Sequence, residues 1–187
     1  MFRLKCHLFL ILILYVPGYT QNARLGQVTE YQIKAAFLFN FAKFVEWPAE
    51  ADSTLPITIG LIGQDPFGEN LDQLAARKVI KGRKLRIKRF RRVSDLEACH
   101  ILFISQSEKS NMPDILGRIK DLSILTVGEA SWFAEQGGIV NLVSRNNKVR
   151  FQINVEASYR SGLKISSRLL RLAEIISDRY ASRGREP

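Results

Sequence analysis

Few side chains in this sequence could perform acid–base, nucleophilic or metal chemistry. Among 187 residues there are two histidines, His7 and His100, and two cysteines, Cys6 and Cys99. Adjacent side chains on a strand point to opposite faces, so Cys99 and His100 cannot form a nucleophile–base pair. No spacing of histidines, cysteines and carboxylates resembles a metal site, and no nucleophile elbow or phosphate-binding loop occurs. We therefore predict no catalytic residue, no metal and no cofactor, and a protein that is not an enzyme.

Two glycine-bounded turns could instead form a small-molecule pocket. GQDPFG (residues 63–68) and GEASWF (residues 128–133) each follow an apolar, strand-like run and precede a helical pattern. Ligands of open α/β sheets bind at the carboxyl ends of strands. The wall of such a pocket would comprise Asp65, Phe67, Glu129 and Trp132. The simpler interpretation, which we favour, is that both segments only make tight strand-to-helix turns.

The first 22 residues have the layout of a secretory signal peptide. Two basic residues precede an apolar run, residues 8–16, and Pro17-Gly18 ends it. The run is shorter than the roughly 20 residues that a membrane-spanning helix needs. The alternative is an uncleaved anchor. We predict cleavage between Gly18 and Ala23 and an exported, periplasmic domain of residues 23–187.

The positive charge of the chain is concentrated in one segment. Residues 78–92, KVIKGRKLRIKRFRR, hold nine lysines and arginines and no acid, and the whole chain has a formal charge of +10. Export and the lack of interleaved aromatics argue against nucleic acid. We favour an edge strand whose charges prevent pairing with another sheet; attraction to anionic lipid headgroups or to an acidic partner stays open. The basic surface would consist of Lys81, Arg83, Lys84, Arg86 and Lys88.

Apolar periodicity predicts strands that alternate with helices. Strands are predicted at residues 55–63, 85–90, 100–105, 123–127, 139–144 and 148–154. Helices are predicted at residues 31–46, 69–77, 94–98, 112–120 and 168–180, with Ser167 as the cap of the last one. The final two strands are separated by Arg145-Asn146-Asn147, which suits a hairpin. This order predicts an α/β fold: a single domain with a central, mostly parallel sheet, a late antiparallel hairpin and helices on both faces.

The first predicted helix is apolar on most of its sides. KAAFLFNFAKFVEWP, residues 34–48, is too short to span a membrane, and its four polar residues fall on several sides of a helix. We expect this helix to be buried between the sheet and either another helix or a second subunit.

Six stretches follow one another in the order of a known family. They are YQIKAAFLFNFAKFVEWP, ITIGLIGQDPFG, ACHILFIS, ILTVGE, FAEQGGIVNLV and KVRFQINVEASYRSGLKISSRLLRLAEI. On these stretches, which run from about Tyr31 to Ile176, the sequence resembles the YfiR family. The resemblance implies a periplasmic, non-enzymatic α/β domain, commonly a homodimer. Such a protein binds the periplasmic part of an inner-membrane diguanylate cyclase and represses it, which limits cyclic di-GMP and biofilm formation. Another membrane signalling protein could take the place of the cyclase.

The resemblance also raises the question of cysteine pairing. Better-known family members contain further cysteines that form disulfides, and Cys99, in ACHILFIS, matches one such position. The predicted mature chain has no second cysteine, so an internal bridge is not expected. A buried thiol, which we favour, and an intermolecular bridge remain the alternatives.

If the chain is a repressor, its C-terminal segment is the predicted contact surface. Phe151 and Ile153 lie on one face of the last predicted strand, Leu163 follows Gly162, and Leu169 belongs to the predicted final helix. Most apolar residues here should be core, and any exposed ones would form the patch typical of a partner site. The competing hypothesis is a periplasmic small-ligand sensor that acts on a sensor kinase or transporter through the pocket described above.

Overall fold

A computed structural model describes residues 29–48 and 54–177. The predicted signal peptide, residues 1–22, lies outside the described residues. The helices are α1 (Glu30–Phe44), α2 (Glu69–Arg77), α3 (Met112–Ile119), α4 (Val155–Arg160) and α5 (Ser167–Leu170). The strands are β1 (Val45–Glu46), β2 (Ile57–Ile62), β3 (Val79–Ile80), β4 (Arg83–Phe90), β5 (Ile101–Ile104), β6 (Leu125–Gly128), β7 (Val140–Arg145), β8 (Lys148–Asn154), β9 (Lys164–Ile165) and β10 (Glu174–Ile176).

Eight strands form one mixed sheet in the order β10-β8-β7-β6-β5-β2-β4-β3. Strands β4, β2, β5, β6 and β7 run parallel to one another. Strands β7 and β8 form an antiparallel hairpin, and β10 runs parallel to β8. A separate two-stranded sheet pairs β1 with β9. The predicted fold, a mostly parallel sheet with a late antiparallel hairpin, is confirmed.

Helices cover both faces of the sheet, as predicted. On one face Ile59 and Phe103 pack in the larger core, which includes Leu38 of α1. On the other face Leu102 packs with Ile115 of α3 in the smaller core. Because successive side chains of a strand alternate between faces, strands that are apolar throughout supply both cores at once.

Helix α1 begins at a capping box and ends two residues earlier than predicted. The Thr29 hydroxyl accepts a hydrogen bond from the Gln32 N–H at 3.2 Å, and the Gln32 side chain accepts one from the Thr29 N–H at 2.8 Å. The helix ends at Phe44 because the next two residues, β1, are extended and pair with β9. The expectation that the helix is buried against the sheet holds for one side of it, which packs in the larger core.

The long C-terminal helix predicted from Arg168 to Tyr180 is wrong within the described residues. Only the four-residue α5 forms, and the cap is Ser166, whose hydroxyl accepts from the Leu169 N–H, rather than Ser167. The chain then turns, and β10 pairs with β8. Without β10, the backbone N–H and C=O groups along one side of β8 would have no strand to pair with. Pairing these groups outweighs the helix propensity of the segment.

The remaining differences are small. Asn146 and Asn147 have φ of 51° and 58°, the left-handed backbone of the two-residue turns that join hairpins, so the predicted hairpin is confirmed. The helix predicted at residues 94–98 is wrong: one 3-10 turn, Val93–Asp95, replaces it. Leu96 has extended backbone after that turn and packs against the smaller core. The helix therefore does not continue beyond Asp95.

Candidate functional site

Asp65 and Phe67, two of the four predicted pocket residues, stabilise the turn after β2. One Asp65 oxygen accepts a hydrogen bond from the Phe67 N–H at 2.7 Å, and the other accepts from Arg89 Nε at 2.8 Å. The Phe67 ring is fully buried between α1 and β5. Neither side chain lines the cavity that Glu129 and Trp132 share.

The crevice between β2 and β5 is filled by the protein itself. The chain adds β4 on one side of β2 and then adds β5, β6 and β7 on the other side. Ligands of open α/β sheets bind where the strand order changes sides in this way. The Ser107 hydroxyl accepts a hydrogen bond from the Gln64 N–H at 2.9 Å, and a side chain at Gly63 would overlap Ser107. Room for a ligand at the strand ends is found instead beside β6.

Glu129 and Trp132 border a cavity of about 560 Å³ at the carboxyl end of β6. Its walls are the start of α1, the turn after β6, and the β7–β8 hairpin. Its polar wall residues include Tyr31, Lys34, Glu135, Asn141 and Gln152. The register explains the opening, because β6 ends at Gly128 opposite Asn141, whereas β7 continues to Arg145.

A buried ion pair forms one wall of the cavity. Lys34, only 4% exposed, places Nζ 2.6 Å from Glu129 Oε2 and 2.6 Å from Glu30 Oε1. Burial alone would lower the pKa of Lys34, but its hydrogen bonds to the two carboxylates leave that pKa raised. The hydrogen bond from Lys34 also lowers the pKa of Glu30, and Ser144 adds to this effect. Burial and the charge of Glu129 raise the pKa of Tyr31.

Phe133 fixes the turn after β6. Its fully buried ring lies against Gly128 and Gly138, where any side chain would overlap it. The Gly138 N–H donates to the Phe133 carbonyl at 3.0 Å and closes the turn. With Phe133 directed inward, Trp132 is directed outward, with φ of +66° and 52% of its surface exposed. Left-handed backbone at a bulky residue is strained, and such strain is concentrated at functional sites.

Only Glu129 and Trp132 of this cavity were predicted from the sequence, and the residues that were missed include Lys34, Glu135 and Asn141. Asn141 is 2% exposed, and its Nδ2 donates to Gln152 Oε1 at 3.1 Å. Its Oδ1 and the Oε2 of Glu135 are buried without a hydrogen-bond partner among the described residues. The available signal was an isolated polar residue inside an apolar run, Asn141 in GIVNLV and Lys34 before AAFLF.

Arg83 differs from the other four residues of the predicted basic surface. It is 8% exposed, donates to the Leu55 carbonyl, and places Nη2 3.0 Å from His100 Nε2. It also borders a second cavity of about 500 Å³ beside β1 and β9. The Arg83 guanidinium therefore stabilises the interior at the amino end of the sheet.

The other four basic residues lie on or beside the outer strand β4. Lys81 occupies the turn before β4, Lys84 and Arg86 are exposed, and Lys88 pairs with Glu97. Strand β3 pairs only with the first two residues of β4, so the rest of that edge has no strand beside it in the described structure. The placement matches an edge strand that carries charge.

The described residues hold no group of three or more histidine, cysteine or carboxylate side chains that could bind a metal ion. No helix among them is long and apolar enough to cross a membrane.

A sequence model described as YfiR/HmsC-like matches residues 31–174. The chain belongs to the YfiR/HmsC-like family. This confirms the resemblance seen in the six ordered stretches. The YfiR/HmsC-like family is regulatory and non-catalytic, and its members are periplasmic. No curated protein sequence matches this one.

One of two similar solved structures shares the fold of this YfiR/HmsC-like chain. A conserved domain protein from Vibrio cholerae O1 biovar El Tor is 14% identical with a TM-score of 0.53, over 80% of this chain and 60% of that one. The ABC domain in complex with L-Trp from Streptococcus pneumoniae is 11% identical with a TM-score of 0.47, over 64% of this chain and 55% of that one. The chain thus spans somewhat more than half of each, and the first likeness concerns the fold alone.

Cys99 is a free, buried thiol in this YfiR/HmsC-like domain. Burial raises its pKa to about 12, more than the Gly60 backbone and Lys88 lower it. A thiol with so high a pKa is protonated near neutral pH and reacts slowly. Its placement agrees with the expectation of burial, and His100 beside it accepts from the Thr58 N–H at 3.0 Å through Nδ1.

The four predicted partner-binding residues are all buried. Phe151, Ile153, Leu163 and Leu169 are each at most 4% exposed and belong to the larger core. In the same C-terminal segment, Leu172 and Ile175 are 76% and 54% exposed. The four predicted side chains are therefore packed inside the domain, whereas Leu172 and Ile175 are accessible to solvent.

Proposed function

We propose that this chain is a periplasmic regulatory protein that binds an inner-membrane diguanylate cyclase and holds it inactive. The proposal includes export, with residues 1–22 removed as a signal peptide, and a homodimeric form. Through the cyclase the protein would control cyclic di-GMP and biofilm formation. The observation that carries the proposal is membership of the YfiR/HmsC-like family over residues 31–174.

Repression of this kind requires a surface rather than a catalytic centre. A regulator shifts a membrane protein towards its inactive state only if it binds that state more tightly than the active one. A differential affinity of about 1.4 kcal/mol changes the ratio of the two states tenfold.

The surface proposed for the cyclase is the C-terminal segment around β10. Leu172 and Ile175 are exposed there, and among the described residues β10 is the last strand at its edge of the sheet. Exposed apolar side chains beside an open strand edge are typical of partner sites.

The double variant Leu172→Glu/Ile175→Glu tests both the function and the surface. Cyclic di-GMP is measured in cells, and the membrane proteins that co-purify with the tagged periplasmic protein are identified. We expect the double variant to release the cyclase and raise cyclic di-GMP several-fold, while Leu122→Glu, an exposed apolar residue before β6, changes neither. Deletion of the gene without any change in cyclic di-GMP would exclude the repressor function. A double variant that still binds and represses would exclude only this surface.

The second candidate is a periplasmic small-ligand sensor that acts on a sensor kinase or transporter. The observation in its favour is the cavity beside β6, with two buried acceptor atoms that have no hydrogen-bond partner in the part of the chain that the structure describes. Co-purification separates the two candidates, because a kinase or transporter in place of a cyclase supports the sensor.

A further inference from the structure

We infer that the cavity beside β6 binds a small organic molecule through a primary ammonium group, which Glu135 and Asn141 accept and Trp132 covers. The inference concerns binding alone and holds whichever membrane protein the chain regulates.

The first argument is the pair of acceptor atoms. Asn141 Oδ1 and Glu135 Oε2 are both buried, neither has a hydrogen-bond partner among the described residues, and both residues line this cavity. Native structures leave few buried polar atoms unpaired, and a ligand is one of the partners that can satisfy them. Both atoms are acceptors, so the missing partner is a donor.

The second argument is the balance of charge around the cavity. Glu129 and Glu30 share the ammonium of Lys34. Arg145 also lines the cavity, and its Nη1 lies 3.6 Å from Glu174 Oε2. Glu135 has no ion pair with any described residue, so its carboxylate has no counter-ion there, and the two carboxylates that share Lys34 add to the negative charge of the cavity. A carboxylate that has one buried oxygen and no counter-ion attracts a cation.

The third argument is Trp132. Its ring is half exposed at the cavity, and its backbone is held in the left-handed region by the inward packing of Phe133. A tryptophan face is the best aromatic partner for an ammonium group. The apolar wall residues Leu142 and Val143 leave room for a carbon chain or ring beside the ammonium.

A bare metal ion fits these atoms less well than an ammonium group. Hard divalent cations require six or more oxygen ligands, and the described residues form no such cluster. An ammonium group needs three acceptors and is matched by two side-chain oxygens and one carbonyl or water.

The experiment measures binding of putrescine and phenethylamine to the purified mature protein by calorimetry, with the hydroxyl analogue of each amine as the neutral comparison. At least one amine should bind with Kd below about 1 mM, and at least tenfold more tightly than its hydroxyl analogue. Glu135→Gln should weaken that binding at least tenfold, and Trp132→Gly, which suits the left-handed backbone, should weaken it several-fold.

The matched control is Glu97→Gln, an exposed carboxylate next to β4 whose charge change equals that of Glu135→Gln. It should leave amine binding unchanged. Thermal melting confirms that each variant is folded. The inference is overturned if neither amine binds, if the hydroxyl analogues bind equally well, or if the folded Glu135→Gln protein retains full affinity. None of these results bears on whether the chain represses a cyclase.

Discussion

Lys34 joins α1 to the end of β6 by a single buried ammonium group. Its two carboxylate partners, Glu30 and Glu129, lie four residues away on the helix and 95 residues away in the chain. Removal of one member of a buried ion pair leaves the other charge without compensation, which destabilises far more than the pair itself stabilises.

Lys34→Met should therefore destabilise the domain by about 3 kcal/mol, because the carboxylate of Glu129 stays buried and unpaired. Lys43→Met, the same change at an exposed lysine of the same helix, should cost less than about 1 kcal/mol. Chemical denaturation of both proteins measures the difference. Addition of Glu129→Gln to Lys34→Met should restore part of the stability; an additive loss in the double variant would contradict this account.

At the scale of elements, the turn after β6 depends on two glycines that receive the Phe133 ring. A Cβ at Gly138 would overlap that ring, whereas a Cβ at Gly117, in α3, meets no atom within 4 Å. Gly138→Ala should destabilise by about 1–3 kcal/mol through overpacking. Gly117→Ala should stabilise by up to about 1 kcal/mol, because alanine is the better helix former. We expect the two variants to change the free energy of unfolding, measured by urea denaturation, in opposite directions. Equal changes would show that the turn rearranges around the added methyl group at little cost.

Elements set by local pattern were predictable from the sequence, and elements set by distant partners were not. Helix α2 and the hairpin strand β8 fall at their predicted boundaries, because capping, apolar runs and turn residues are local. Strand β10 was predicted as helix, since its pairing with β8 has no local signal. Glu129 was predicted as a site residue because it directly follows a strand, which is a local signal. Its partner Lys34 and the buried Asn141 were missed, because their contacts in the cavity have no local signal.

At the scale of the whole molecule, the cations of residues 78–92 lie on or beside the outer strands β3 and β4, and among them only Arg83 is buried. Asp65 and Asp72 hold Arg89, whose hydrogen bond lowers the pKa of Asp72. Lys81, Lys84 and Arg86 have no ion-pair partner among the described residues. Charges on an edge strand can keep it from pairing with another sheet, and they can also attract an anionic membrane surface, so the two roles need separate measurement.

A quadruple glutamine variant distinguishes these roles. The changed residues are Lys81, Lys84, Arg86 and Lys88; Arg83 is left in place because it is buried. If the edge contacts lipid, binding to vesicles with phosphatidylglycerol should weaken at least tenfold and depend steeply on salt, since each cation near an anionic surface contributes about 1 kcal/mol.

The control changes four exposed cations elsewhere to glutamine: Lys109, Arg118, Lys120 and Lys148. The control removes the same amount of positive charge. If it weakens vesicle binding equally, net charge alone explains the loss, and a lipid-binding edge is contradicted. Unchanged vesicle binding, together with new self-association of the first variant in sedimentation, would assign the charges to protection of the β4 edge. That outcome follows physically because β4 without its lysines presents a long open strand to its own copies.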